Sequence, residues 1–120
     1  MLDVQLGAVE SRFADLIWQS APLPSSELVK LAAQALSWKK STTYTVLKRL
    51  CDKGLFENNG GTVSVLVSKE DFYSLQSERF IDDTFHGSLP AFLAAFTARK
   101  SLSPAEIAQL RKMVAQYEEG

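Results

Sequence analysis

A run of hydroxyl-bearing and cationic side chains near the middle of the chain has the chemistry needed to bind duplex DNA. Serine, threonine and tyrosine hydroxyls can bond base edges or phosphates, and lysine and arginine neutralise phosphates. From Ser37 to Lys53 there are five basic residues and one acidic residue, a local balance of +4 in a chain whose net charge is -1. The candidate DNA-binding residues are Lys39, Lys40, Ser41, Thr42, Tyr44, Thr45, Lys48 and Arg49.

The same run has the periodicity of one helix with two different faces. Apolar or small residues recur at i, i+3, i+4 and i+7, as Thr43, Val46, Leu47 and Leu50. This spacing predicts a stripe that faces the core, with the polar residues on the opposite face. The helix is expected to begin at Ser37 and to end at Gly54. A basic helix face is also common on ordinary solvated surfaces, so other parts of the chain have to support the interpretation.

Length and charge limit the architecture. With 120 residues, of which 46% are apolar, the chain has room for one domain, or for a small domain and an appendage. A sequence pI near 5.8 argues against a protein that coats nucleic acid nonspecifically. DNA binding therefore has to come from a focused surface, which symmetry would double.

Several classes of function find no support in the sequence. No apolar run is long enough to span a membrane, and the first residues do not resemble a signal peptide, so a cytoplasmic protein is expected. Cys51 and His86 are the only residues of their types, so neither a disulfide nor a metal site is expected. No nucleophile–base pair or phosphate-binding glycine loop is recognisable. We therefore expect neither an enzyme nor a cofactor.

Two further helices are expected before the basic one. The first runs from about Gly7 to Ser20 and ends at the proline-containing segment 21–24. Its apolar stripe is Val9, Phe13, Leu16 and Ile17. Ser25 or Ser26 is expected to cap the second helix. The buried face of that helix is predicted to consist of Leu28, Leu31, Ala32, Ala35 and Leu36.

A β-hairpin is expected after the basic helix. Residues 55–58 and 62–68 have extended character, and Asn59-Gly60-Gly61 between them favours a tight turn because these residues tolerate positive φ. On the return strand, Val63, Val65 and Val67 would share one face. Three helices followed by a hairpin is the order of a winged helix-turn-helix, in which the hairpin is the wing. We expect this DNA-binding domain to cover residues 1–69.

The remaining residues, 70–120, are expected to form a helical dimerisation region, which makes the fold class mainly α with one small β-hairpin. Their balance is -3, whereas residues 1–69 sum to +2. Ser103 to Glu106 has the pattern of a capping box with Pro104 at the first helical position. Three apolar helices in so short a segment lack a sufficient core of their own, which favours packing against a second chain. The expected dimerisation residues are Phe72, Phe80, Phe92, Phe96, Ile107, Leu110, Val114 and Tyr117.

The sequence resembles the penicillinase-repressor family, which includes methicillin-resistance and copper-responsive repressors. The resemblance lies in Leu6–Glu10, Ile17-Trp18, Trp38, Thr42–Leu50, Lys53–Leu55, Phe85–Leu89 and Leu102–Ile107. It implies a homodimeric winged-helix transcriptional repressor that binds an inverted-repeat operator. By position, Thr42, Thr45 and Arg49 match the recognition residues of that family, and Lys39, Lys40 and Lys48 would lie near phosphates.

Three departures from the family bear on function. The wing, Glu57 to Thr62, has no basic residue, so its contact with DNA is in doubt. The cysteine pairs of copper-responsive members are absent. Members controlled by a membrane metalloprotease are cut at an Asn-Phe pair, and Ala95-Phe96 stands at that position. The phenylalanine is kept and the asparagine is not, so Ala95-Phe96 is a candidate cleavage site and a membrane sensor metalloprotease a candidate partner. The alternative to a repressor is a winged-helix protein-interaction module with little DNA affinity.

Overall fold

The computed structural model describes residues 4–119 and contains six helices and three short strands. The helices are α1 (Ala8–Ser20), α2 (Ser25–Leu36), α3 (Lys40–Asp52), α4 (Lys69–Phe85), α5 (Leu89–Thr97) and α6 (Pro104–Glu119). The strands are β1 (Leu23–Pro24), β2 (Phe56–Asn59) and β3 (Thr62–Val65). The chain divides into two compact units, Met1–Glu78 and Arg79–Gly120, which we call the N-terminal and C-terminal units.

The N-terminal unit has the winged helix-turn-helix order expected from the sequence. Helices α1, α2 and α3 precede the β2–β3 hairpin, whose strands pair antiparallel from Phe56 with Val65 to Asn59 with Thr62. The turn between them places Gly60 and Gly61 at φ values of +60° and +90°. Glycine reaches these angles without a steric penalty, which explains why the hairpin turns here.

A third strand, which the sequence does not predict, completes the sheet. β1 pairs antiparallel with β3, with Leu23 opposite Val63 and Pro24 opposite Thr62, so the sheet order is β1-β3-β2. The sequence of the proline-containing segment 21–24 predicts only the end of α1. It ends α1, but it also buries Leu23 and extends the sheet. A proline is tolerated here because β1 is an edge strand.

The core of the N-terminal unit joins all of its helices to the sheet. Its largest fully buried side chains are Phe13, Ile17, Leu28, Leu47, Leu50, Leu55, Phe56, Val63 and Phe72. Trp18 and Trp38 pack against this core, as expected, and the Trp38 ring lies 4.9 Å from that of Phe13.

Several local expectations were wrong. Val9 is 53% exposed, because the buried face of α1 centres on Phe13, Ala14 and Ile17 and leaves Val9 at its margin. Ala35 is also exposed, since Leu28 and Ala32 form the buried centre of α2. On β3, Val65 is 38% exposed, whereas Val63 is fully buried. The strand ends at Val65, where the N–H groups of the next two residues both turn to the Leu55 carbonyl.

The beginnings of two helices also differ from expectation. The N-cap of α2 is Pro24, with no side-chain cap, and Ser25 is the first helical residue. Ser37 adopts a left-handed conformation that ends α2, so the basic helix begins at Lys40 and not at Ser37. At the other end of α3, Gly54 has a φ of +90°, in agreement with the expected stop.

The C-terminal unit consists of the end of α4 together with α5 and α6. The reciprocal capping box is confirmed: the Ser103 N–H donates to Glu106 Oε1 at 2.9 Å, and the Glu106 N–H donates to Ser103 Oγ at 3.1 Å. The hydrogen bond from the Ser103 backbone lowers the pKa of the Glu106 carboxyl. Four phenylalanine rings, Phe80, Phe85, Phe92 and Phe96, contact one another at centroid distances of 5.6–6.1 Å.

Burial differs sharply between the two units. Among the described residues of the C-terminal unit, none is buried. Phe72, which was expected to serve dimerisation, is instead fully buried in the core of the N-terminal unit, because the first turns of α4 pack there beside Trp18. Its side chain is therefore not exposed to a second chain. No helix in the described part of the chain is long and apolar enough to cross a membrane.

Candidate nucleic-acid interface

Helix α3 presents the polar face that its sequence predicts. Thr43, Val46, Leu47 and Leu50 are its buried residues. Seven of the eight candidate DNA-binding residues are exposed, namely Lys39, Lys40, Ser41, Thr42, Thr45, Lys48 and Arg49. Lys39 is the N-cap of the helix, and the other six lie within α3. The structure thus brings these side chains together on one helix and its cap.

Four cations on this face have no acidic partner among the residues that the structure describes. In the described part of the chain, no carboxylate lies within ion-pair distance of Lys39, Lys40, Lys48 or Arg49. Their charge is therefore available to a phosphate. The fifth basic residue of the run, Lys53, behaves differently: its Nζ lies 3.5 Å from Glu10 and donates to the Gln5 carbonyl at 2.6 Å. Lys53 thus connects the end of α3 to the start of the chain.

The threonine hydroxyls of α3 have distinct roles. Thr45 Oγ1 donates to the Ser41 carbonyl at 2.9 Å, which occupies its proton. Thr45 therefore offers an outside group a methyl and the lone pairs of its oxygen. Thr43 is fully buried, and its hydroxyl donates to the Lys39 carbonyl at 3.1 Å. This hydrogen bond satisfies the one polar residue within the otherwise apolar stripe.

Tyr44, the eighth candidate, is half-buried, and its side chain connects α3 to α2. Its hydroxyl lies 3.0 Å from Ser25 Oγ, the first residue of α2. Tyr44 also lines a groove between α3 and β2 together with Leu47, Lys48, Cys51 and Asn58. Sequence reasoning did not identify the partner of Tyr44, because the two residues are 19 positions apart and lie on different helices.

The wing offers little electrostatic attraction for DNA. Residues 57–62 are all exposed, and they include Glu57 but no basic residue. The wing turn is instead connected to the helix-turn-helix, since the Ser25 N–H donates to the Gly61 carbonyl at 2.7 Å.

The cysteine and the histidine belong to no metal-binding cluster of the described residues. Burial, with a smaller contribution from Asp52, raises the pKa of the half-buried Cys51 thiol, which disfavours a reactive thiolate. His86 is exposed in the turn after α4. Among residues 4–119, no three His, Cys, Asp or Glu side chains are grouped closely enough to hold a metal ion.

The fold and the exposed polar helix define a protein of the winged helix-turn-helix class. A sequence model of the penicillinase repressor family matches residues 6–116, and the chain belongs to this family. It is a DNA-binding transcriptional repressor and not an enzyme.

Individual relatives are distant. The chain is 25% identical over 117 residues to the penicillinase repressor of Bacillus licheniformis. This alignment covers 94% of the chain and 91% of the relative. A solution structure of the monomeric form of BlaI from the same species, in complex with the blaP half-operator, aligns with a TM-score of 0.49 at 22% identity. That alignment covers 59% of this chain and 93% of BlaI.

Proposed function

We propose that the protein represses transcription as a homodimer on an inverted-repeat operator, with α3 of each protomer in a major groove. The observation that carries this proposal is the exposed face of α3, where hydroxyl groups lie among four cations that have no acidic partner among residues 4–119. An α-helix fits the major groove of B-DNA, where hydroxyls can reach base edges. A repressor acts where the DNA is, so the proposal includes a cytoplasmic location.

Roles within the interface follow from chemistry and position. Lys39 and Lys40 lie at the start of α3, where the free amides of the helix also favour an anion, so we assign them to phosphates. Lys48 and Arg49 follow on the exposed face and add two further cations. Ser41, Thr42 and Thr45 supply the hydroxyl groups for base contacts, and Tyr44 lies beside them.

The dimer is supported by the apolar surface of the C-terminal unit. Phe80, Phe96, Ile107, Val114 and Tyr117 are between 37% and 86% exposed, although all five are apolar or aromatic. Along α6, Ile107, Leu110 and Val114 line one groove with Leu102. Burying such a side chain against a partner contributes about 1.5–3 kcal/mol, so several together can hold two chains. We therefore retain the expected dimerisation set without Phe72.

The proposal also includes release of the repressor from its operator by proteolysis. Ala95 and Phe96 are both exposed on α5, and the chain beyond them contains α6. A cut by a sensor metalloprotease in the membrane would separate α6 from the rest of the protomer. Because the bond lies within a regular helix, α5 has to unwind locally before a protease can bind it in an extended form.

A winged-helix module that binds another protein is the second candidate. The observation that favours it is the wing, which carries Glu57 and no basic residue. A gel-shift titration on duplex DNA at several salt concentrations distinguishes the two. If four cations each neutralise one phosphate, a plot of the logarithm of the binding constant against the logarithm of salt concentration has a slope of about -3.6 per protomer. A protein-interaction module would shift no duplex at any salt concentration.

A further inference from the structure

Ser25 lies where three parts of the proposed DNA-binding surface meet. It is the first residue of α2 and follows directly on β1. Its N–H donates to the carbonyl of Gly61 in the wing turn, at 2.7 Å. Its hydroxyl lies 3.0 Å from that of Tyr44 on α3. One small residue thus holds both the wing turn and the exposed helix.

The Ser25 hydroxyl does not perform the task that its position suggests. A serine at the start of a helix commonly caps a free amide. Here the N-cap is Pro24, which has no capping side chain, and the Ser25 hydroxyl bonds Tyr44 instead. The hydrogen bond restricts the Tyr44 phenol to one orientation beside Lys48, with which it lines the same groove.

The hydroxyl pair also keeps a hydrogen-bond donor. Two hydroxyls that share one hydrogen bond use one of their two protons. The other proton can be donated to an acceptor on a base edge in the major groove, such as guanine O6 or thymine O4. Lys48, four residues after Tyr44 and so on the same side of α3, adds a positive charge.

We propose that Ser25 is a positioning residue, which fixes the Tyr44 hydroxyl and ties it to the wing turn so that α3 meets duplex DNA in one orientation. The inference rests on the proposed function, because it assumes that α3 contacts DNA. A fixed orientation contributes to the discrimination between sequences, whereas loosely held cations attract any phosphate backbone equally.

The test begins with the unmodified protein, which is used to select a consensus from a pool of random duplexes. Failure to select one would refute the proposed function itself. With a consensus in hand, affinities for the consensus duplex and for a scrambled duplex of equal composition are measured for each variant. Thermal unfolding of each variant is followed in parallel.

Ser25→Ala should weaken binding to the consensus about fivefold per protomer, the factor expected of one ordinary hydrogen bond, and leave binding to the scrambled duplex unchanged. Tyr44→Phe should have the same effect, and the double variant should lose no more than either single variant. Ser25→Thr retains the hydroxyl and should restore the preference. Ser26→Ala, at an exposed neighbouring hydroxyl, is the matched control.

Two outcomes would overturn the inference. The first is an equal loss of affinity for both duplexes together with a lower unfolding temperature, since that describes a residue needed only for folding. The second is a set of additive losses in the double variant, because independent effects would mean that Ser25 does not act through Tyr44.

Discussion

Trp18 and Val67 are joined by a hydrogen bond of 3.0 Å, in which the indole Nε1–H donates to the backbone carbonyl. Trp18 lies near the end of α1, and Val67 lies in the bend after β3. The indole ring also contacts Phe56 of β2 and Phe72 of α4, with centroids 5.4 and 5.6 Å away. A single side chain therefore connects α1 to the hairpin and to the first turns of α4.

Replacing Trp18 with Phe should destabilise the protein measurably. The substitution leaves the Val67 carbonyl without its donor and opens space beside Phe56 and Phe72, so we expect a loss of about 1–3 kcal/mol in unfolding free energy. Urea unfolding followed by circular dichroism measures it. Val9→Ala is the control on the same helix, since Val9 is 53% exposed and should change stability by less than about 0.5 kcal/mol. Equal losses in the two variants would contradict the role given to Trp18.

Replacing Lys48 or Arg49 with Ala should weaken binding to every duplex and reduce the slope of the salt dependence by about one per protomer. The reason is that each variant neutralises one phosphate fewer. Gel-shift titrations on consensus and scrambled duplexes measure both quantities. Lys30→Ala is the matched control: Lys30 is an exposed lysine on α2, paired with Glu27 at 3.2 Å. A slope that falls as much in the control would mean that overall charge, and not α3, determines binding.

Replacing Thr45 with Ala should relax the base preference at one operator position by about 1–3 kcal/mol, with little change in salt dependence. The substitution removes the methyl and the oxygen lone pairs that Thr45 presents. Selection from random duplexes with the variant, compared with the unmodified protein, identifies the affected position. Thr62→Ala, on the exposed wing, should leave the selected sequence unchanged. An identical consensus from all three proteins would remove Thr45 from the interface.

Replacing Val114 with Glu should dissociate the proposed dimer. Val114 is 57% exposed in the chain, and a charge there has to be buried if α6 packs against a partner. Analytical ultracentrifugation at micromolar concentrations measures the oligomeric state. Gln116→Glu adds the same charge to an exposed position about 200° further around the helix, and should leave the dimer intact. An unmodified protein that sediments as a monomer would itself refute the proposal.

Truncation after Ala95 should mimic regulated cleavage. The shortened chain lacks α6, and with it Ile107, Leu110, Val114 and Tyr117, so we expect monomers and much weaker operator binding, because two linked half-sites bind far better than one. Ultracentrifugation and gel shifts on the same samples test both effects. A chain ending at Glu119 is the control. If the truncated protein dimerises and binds like the control, cleavage at this position cannot be the switch.

Periodicity and local turn chemistry account for what the sequence predicted well. The stripe Thr43, Val46, Leu47 and Leu50 repeats with the helical period, and it is the buried face of α3. The glycine-rich hairpin turn and the Ser103–Glu106 capping box depend on residues only a few positions apart. In these places local preference and tertiary structure agree.

The features that the sequence did not predict depend on distant partners. β1 exists because Leu23 and Pro24 meet β3, about forty residues later in the chain. Ser25 bonds Tyr44 and Gly61 in preference to capping α2. Phe72 lies in a stretch that is rich in aromatic residues throughout. No periodicity in this stretch indicates that the first turn of α4 packs against the Trp18 ring. In all three places, contacts between segments that are distant in sequence determine the structure.

The acidic wing has a second consequence, for the behaviour of the protein at high concentration. β2 lies at the edge of the sheet, where unpaired backbone groups can recruit a strand from another molecule. The strand is four residues long, and Glu57, Asn58 and Asn59 are exposed along it. If the β2 edges of two molecules came together, two carboxylates would lie opposite each other and few apolar atoms would be buried. The same residues that make the wing a poor ligand for DNA thus protect the sheet from edge-to-edge aggregation.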